Sequence, residues 1–421
     1  MRHSDFGLED HPLRAALSSE MHVRKLPPMA APTRMMQVVL SGDRGDIALE
    51  RHKLAELFAF DAAEAKDGAN FLLGERGDMR IVWERHTEFS SYMFIRAGAF
   101  DDPFDPDAFA AIPDRWFADL PGKVVRATQF AFCDAAIADR AADYFSAEDL
   151  VVCDVADGAG RIWSDFRIHR DGFGRLLLAD KGLTGPEASL VVQRLQELGN
   201  YRNMALLGLP MAQRLTPEVS GFEARLAALS AAIATGESAD ETLLRDLSAL
   251  SAELAGVVAE TRYRMSASRA YSEISHDRLA SLRVGRVQGY QTLADFTDRR
   301  LLPAVRTCIS FSARLEDLSQ RLAWTSSLMR TRVDTALSRQ NRDLLASMDR
   351  RTDLQLRLQQ TVEGLSVVAI SYYLVGLIGY ASKGLALGEA GHGVLMAIAV
   401  PIALAVTWLG MRRIRRQFAH E

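Results

Sequence analysis

Seven consecutive residues, Trp83-Glu84-Arg85-His86-Thr87-Glu88-Phe89, hold the densest set of groups able to do chemistry. Along an extended strand the side chains alternate between faces. Glu84, His86 and Glu88 would share one face, and Trp83, Arg85, Thr87 and Phe89 the other. Two carboxylates flanking an imidazole can hold a cation or divide the acid and base roles of a proton transfer. The same pattern also describes the solvated face of an antiparallel sheet, which needs no chemistry. A second polar stretch, Glu20-Met21-His22-Val23-Arg24, lies nearer the N-terminus. Glu20 and His22 join the candidate cluster if that segment closes over the sheet; otherwise they form a local ion pair or no interaction at all.

Other patterns exclude more than they offer. Asp101, Asp102, Asp105 and Asp107 match a calcium loop in composition alone, without its central glycine or closing glutamate, so a surface loop is expected. The glycines of Gly74–Asp78 and Asp157–Gly160 form neither a dinucleotide fingerprint nor a phosphate loop, and neither GxSxG nor HExxH occurs. Cys133, Cys153 and Cys308 are scattered and suit a reducing compartment. No metal and no cofactor is therefore expected. With 50 basic against 54 acidic residues, a formal net charge of -4, there is no global basic excess to favour nucleic acid.

The body that must position these groups reads as α+β. Residues 1–31 form an irregular N-terminal segment broken by prolines, and residues 32–183 a mixed α/β cytoplasmic domain. Strands are predicted over Thr33–Leu40 and Lys123–Cys133, and over Asp78–Ile95 as one long strand or two paired ones. Leu150–Val155, Arg161–Ile168 and Arg175–Ala179 read as a meander turning at Asp157–Gly160 and Arg170–Gly174. Ile47, Leu54, Leu57 and Phe58 share a helical face within Arg44–Phe60, and short helices are expected around Asp107–Asp119 and Ile137–Phe145.

From Gly185-Pro186 the character changes. Residues 184–362 read as a helical, coiled-coil-like bundle or stalk with almost no strand signal. Its last helix, from about Pro303, carries Leu315, Leu318, Leu322, Leu328, Leu344, Met348 and Leu358 at only partly heptad spacing. Arg321, Arg330, Arg332, Arg339, Arg342, Arg350, Arg351 and Arg357 are expected to pair with Glu316, Asp317, Asp334, Asp343, Asp349 and Asp353. Anionic headgroups are the other partner such arginines would attract.

Two runs near the C-terminus, Gly364–Ser382 and Gly391–Met411, contain no charged residue. Each approaches the roughly 20 residues a helix needs to cross a ~30 Å hydrocarbon core. Residues 363–412 therefore read as a two-helix transmembrane hairpin with a short connection, Lys383–Ala390. Arg350, Arg351 and Arg357 precede it, and Arg412, Arg413, Arg415 and Arg416 follow, with residues 413–421 a basic tail. Positive flanks stay inside, so both termini are expected in the cytoplasm and the protein in the inner membrane, multi-pass, with the lipid bilayer as a partner. The N-terminus has no apolar signal segment. Ser366, Tyr373 and Tyr380 recur every seven residues along one stripe of the first span, which either packs a helix interface or lines a pore; Gly376 and Gly379 allow close approach.

His11–Arg24, Trp83–Phe94, Thr292–Cys308 and above all Ser338–Gly376 resemble the bacterial predicted membrane-anchored proteins grouped as domain of unknown function 3422. The resemblance covers essentially the whole chain; it implies membrane anchoring and brings no activity. In architecture alone the chain is loosely similar to CorA-type magnesium channels, which carry Gly-Met-Asn at the end of the first span. Here that place reads Ile378-Gly379-Tyr380-Ala381-Ser382. Three functions stay open. One is a cytoplasmic binding or scaffold module, tethered to the inner membrane and assembled as a homo-oligomer through its long helices. Another is an oligomeric CorA-like ion channel or transporter. The last is a membrane-tethered enzyme, which needs Glu84, His86, Glu88 and His22 to converge in a pocket.

Overall fold

A computed structural model describes residues 9–20, 26–42, 47–60, 70–113, 115–236, 239–384 and 389–418. The chain divides into two compact units, Met1–Trp324 and Thr325–Glu421.

Unit 1 opens with α1 (Arg14–Glu20), a short helix inside the segment expected to be irregular. Its Ala and Leu residues favour a helix once Pro12 is passed. The sheet strands are β1 (Thr33–Ser41), β2 (Ala59–Phe60), β3 (Phe71–Arg76), β4 (Met79–Arg85), β5 (Phe89–Ala97), β6 (Lys123–Cys133), β7 (Val151–Val155), β8 (Gly160–Ser164), β9 (Gly174–Asp180) and β10 (Gly285–Arg286). They form one sheet in the order β10-β7-β8-β9-β6-β1-β5-β4-β3-β2. All pairings are antiparallel except β6 with β9. The expected meander is present as β7-β8-β9. Asp78–Ile95 resolves into the paired alternative, β4 and β5, with Thr87 and Glu88 in the turn. Three short strands had no clear sequence signal: β2 and β10 span two residues each, and β3 spans six with Gly74 at its centre.

β1 lies between β5 and β6 and is buried along nearly its whole length, which is why Met35 to Leu40 read as an apolar run. Met35 points to one face of the sheet, with Val82, Ile95, Phe130 and Phe132. Met36, Val38 and Leu40 point to the other, with Ile81, Trp83, Tyr92 and Phe94. The second face is covered by α2 (Ile47–Leu57) through Leu54 and by a 3-10 turn, Trp116–Asp119. That turn and Pro106–Phe109, both 3-10, are the short helices expected around Asp107–Asp119. Likewise α3 (Ala135–Ala138) and a 3-10 turn, Ala141–Tyr144, supply the short helices expected around Ile137–Phe145.

The first face is covered by α4 (Gly185–Leu206), which buries Val191, Val192, Leu195 and Leu198 against it. A capping pair starts this helix: Thr184 N–H donates to Glu187 Oε2 at 3.1 Å, with Pro186 in the first turn. α5 (Gly208–Thr235) and α6 (Asp240–Ser281) follow, and α6 packs on both α4 and α5. Gly208 is held at a tight crossing, where a Cβ would collide with Ser268 Oγ and stand 3.3 Å from Cys308 Sγ. α7 (Leu293–Ser382) starts ten residues before the expected Pro303, which sits inside the helix. Thr292 Oγ1 accepts from Asp295 N–H at 3.0 Å, and Asp295 accepts in return from Thr292 N–H at 3.3 Å, an N-terminal signature the sequence reading passed over. Leu293 and Phe296 then join the sheet core.

Unit 2 contains the rest of α7 and α8 (Glu389–Phe418). Both are long and apolar enough to cross a membrane, with mean hydropathy 1.7 and 2.2 over their best windows. They meet through small residues. Ser371, Ala399 and Ala403 are buried, a Cβ on Gly379 would lie 3.3 Å from Met396 Cε, and Ser382 Oγ lies 2.9 Å from His392 Nδ1. Of the arginine pairs expected on α7, Arg321 meets Asp317 at 3.5 Å, while Arg350 donates to the Ala346 carbonyl at 3.2 Å.

Candidate functional site

Glu84 lies on β4, where pairing fixes it opposite Phe71 on one side and Ser91 on the other. Val82 and Glu84 face α4, and Trp83 and Arg85 face α2, as strand alternation requires. The strand ends at Arg85, however, so the alternation stops before Glu88. His86 N–H donates to the Phe89 carbonyl at 2.8 Å and closes the hairpin. The His86 ring stacks on Phe89 at 4.2 Å between centroids, with its Nε2 at 3.5 Å from Glu84 Oε2. Glu88 turns away and pairs with Arg264 of α6. Its other oxygen, Oε2, is buried without a hydrogen-bond partner, as is Arg264 Nη1. The structure therefore brings Glu84 and His86 together and assigns Glu88 to a tie between hairpin and helix. The cavity beside Glu84 is only about 20 Å³ and opens onto Gln37, Ser91 and Glu197, too small for a substrate. Glu20 ends α1, and His22 lies outside the described residues, so no convergence with Glu84 is drawn. Among the described residues, no three His, Cys, Asp or Glu side chains are grouped to hold a metal ion.

The aspartates at 101–107 are turn-formers. Asp102 Oδ1 accepts from Phe104 N–H at 2.9 Å, and Asp105 Oδ1 from Asp107 N–H at 2.9 Å. On the apolar stripe of α7, Ser366 Oγ donates back to the Val362 carbonyl at 2.8 Å, while Tyr373 and Tyr380 are 72% and 77% exposed, away from α8.

Two polar constellations escaped the sequence reading. The first is a fully buried carboxylate. Glu50, on α2, accepts from Trp83 Nε1 at 2.9 Å, Arg85 Nη1 at 2.7 Å, Ser90 Oγ at 2.5 Å and Tyr92 Oη at 2.8 Å. Burial, then the Glu50 charge, pushes the Tyr92 hydroxyl well above its ordinary range, so it remains a donor. The signal was available: Glu50 occupies the same helical face as Ile47 and Leu54. Its four donors satisfy the carboxylate, and that geometry marks the network as a structural anchor.

The second lies where α4 crosses β6. Arg126 Nη1 donates to Gln37 Oε1, to Gln196 Oε1 at 2.7 Å and to Asn200 Oδ1 at 3.0 Å. Gly199 leaves room for this guanidinium; a Cβ there would stand 2.6 Å from Arg126 Nε. One turn on, Arg202 stacks over Phe166 at 4.7 Å, and its Nη1 is buried without a hydrogen-bond partner. Burial, then the neighbouring Arg202, lowers Arg126 to about 9; burial, then Arg300, lowers Arg202 to about 10. Both arginines line a cavity of about 290 Å³, with Thr128, Ser164, Arg175 and Asn203. The hint in the sequence was a glycine inside a helix, Gly199, flanked by Gln196, Asn200 and Asn203 on an otherwise core-facing surface.

A ten-stranded sheet with helices on both faces, followed by a pair of long apolar helices, defines a mixed α/β protein. The chain matches the family described as Protein of unknown function (DUF3422) over residues 9–418, and it belongs to that family. No curated protein matches it.

Proposed function

We propose that the protein is a membrane-anchored binding module: α7 and α8 form a transmembrane hairpin, and the sheet-bearing unit is carried on the cytoplasmic side of the inner membrane. One observation carries this reading. Only 6% and 11% of the residues in the two apolar windows are buried, and Leu365, Val368, Tyr372, Leu377, Val394 and Ile402 are each more than half exposed. An apolar, charge-free helix without protein cover needs hydrocarbon around it. The basic flanks, Arg350, Arg351 and Arg357 before and Arg412 and Arg413 after, favour cytoplasmic ends. The test is alkaline extraction of membranes from cells making the full chain, with a reporter fused to each terminus. Retention in the pellet and cytoplasmic reporters at both ends support the reading; release of the full chain into the supernatant refutes it.

Homo-oligomerisation belongs to the same proposal. Leu337, Leu344, Leu358 and Leu365 fall on one seven-residue repeat of α7, interrupted by Arg351, and are 54–72% exposed. Such a seam suits a helix of another copy. Light scattering of the detergent-solubilised protein decides: a single-copy mass removes this part, and a closed ring of four or more copies revives the channel alternative.

A further inference from the structure

We propose that the cavity lined by Arg126 and Arg202 is a binding site for the phosphate group of a small soluble molecule. The argument starts from charge. Four arginines line this cavity. Arg167 is committed to Asp149 and to Glu148, and Arg175 lies 3.4 Å from Asp171. Arg126 and Arg202 have no carboxylate within ion-pair distance among the described residues. Among the described residues, Arg126 is met by the neutral amide oxygens of Gln37, Gln196 and Asn200, and Arg202 by the aromatic faces of Phe166 and Phe296. Two half-buried guanidiniums without a counter-charge are partly desolvated, with Arg202 Nη1 fully so, and they also repel one another. An anion between them relieves both terms.

The rest of the site is built to hold that arrangement. Phe166 adopts a left-handed backbone, φ 53°, which stacks its ring on Phe296 at 4.3 Å and beneath Arg202. Gln37, Gln196 and Asn200 fix Arg126 from two separate elements, and Gly199 provides the space. Guanidinium forks match phosphate geometry, and a phosphate dianion balances two cations where a carboxylate balances one. A volume of about 290 Å³ admits a phosphate with a few carbons and excludes a nucleotide. Val124 and Ile168, 60% and 81% exposed, stand at the mouth. This site does not depend on the membrane reading.

The experiment is isothermal titration of the full chain in detergent with inorganic phosphate and with glycerol 3-phosphate at matched ionic strength. A separate arm measures co-flotation with phosphatidylcholine vesicles with and without phosphatidic acid. Saturable binding of a soluble phosphate, with Kd of about 1 mM or tighter, is expected for a ligand of this size. Arg202→Met should weaken it at least tenfold. Ile168→Trp, which fills the mouth from an exposed position and leaves the arginines in place, should weaken it similarly and remains informative if the first variant does not fold. Absence of saturable binding by either soluble probe overturns the proposal, as does binding that both variants retain. Binding only to phosphatidic acid vesicles overturns the soluble ligand in favour of a lipid headgroup.

Discussion

Replacing Glu50 with alanine tests whether the buried carboxylate holds α2 to the sheet. Glu50 is 0% exposed and is the common acceptor for Trp83, Arg85, Ser90 and Tyr92. The substitution strips Arg85, itself 5% exposed, of its Glu50 partner. Breaking a buried ion pair from one side costs about 3–5 kcal/mol. The Trp83 and Tyr92 donors add about 1–3 kcal/mol each where they find no substitute, though the terms overlap and do not sum. A loss of at least about 4 kcal/mol is expected, a large part of the 5–15 kcal/mol typical of a folded domain. At about 2 °C per kcal/mol for a unit of this size, Tm should fall by roughly 8 °C or more. Thermal unfolding of the full chain, followed by near-ultraviolet circular dichroism, measures it. The paired change Glu50→Leu with Arg85→Met should recover much of the loss, because no charge is then buried. A shift under about 2 °C for Glu50→Ala would show that α2 packs independently of the network and refute the reasoning.

Two further outcomes follow from the geometry. The Asp154 carboxyl is held below the usual carboxylate range first by its hydrogen bond to Arg161, at 2.7 Å, and also by Lys181 at 3.2 Å. Its folded value is depressed, so its contribution is present above the ordinary carboxylate pKa and is lost as pH falls through the folded value. Urea unfolding from pH 7 down to about 3 should show this decline. Asp154→Asn should flatten part of it, with a loss under about 1 kcal/mol at pH 7 because the pair is partly exposed. Gly199→Ala should push Arg126 off its three amide partners, since the new Cβ meets Nε at 2.6 Å. Overpacking of about 1–3 kcal/mol outweighs the ~1 kcal/mol gained in helix propensity. Gly221→Ala, where the new methyl meets nothing within 4 Å, should instead stabilise α5, and equal effects from the two would contradict this account.

Local pattern was enough for much of the fold. The β1 and β6 strands, the β7-β8-β9 meander and the charge-free runs within α7 and α8 were legible because each depends on a period or on a run of one chemistry. The start of α7 was misplaced by ten residues because Pro303 was read as a boundary, whereas a threonine and an aspartate further upstream start the helix. The short strands β2, β3 and β10 exist because a neighbour pairs with them; β2 and β10, two residues each, carry no period to read, and Gly74 breaks the apolar pattern of β3.

The chemistry was less legible. Alternation placed Glu84, His86 and Glu88 on one face, but the hairpin turn begins at His86 and sends Glu88 to Arg264, 176 residues away in sequence. Glu50 meets its donors across 33 to 42 residues, and Arg126 meets Gln196 and Asn200 across 70 and 74. Sequence by itself determined where the backbone is extended, where it is helical and where it is apolar, because those follow from neighbours along the chain. Which charged groups are buried, and which arginines are left without a carboxylate, was decided only by the packing of α2 and α4 onto opposite faces of one sheet. Burial sets the cost of a charge, and the chain cannot set burial before it folds.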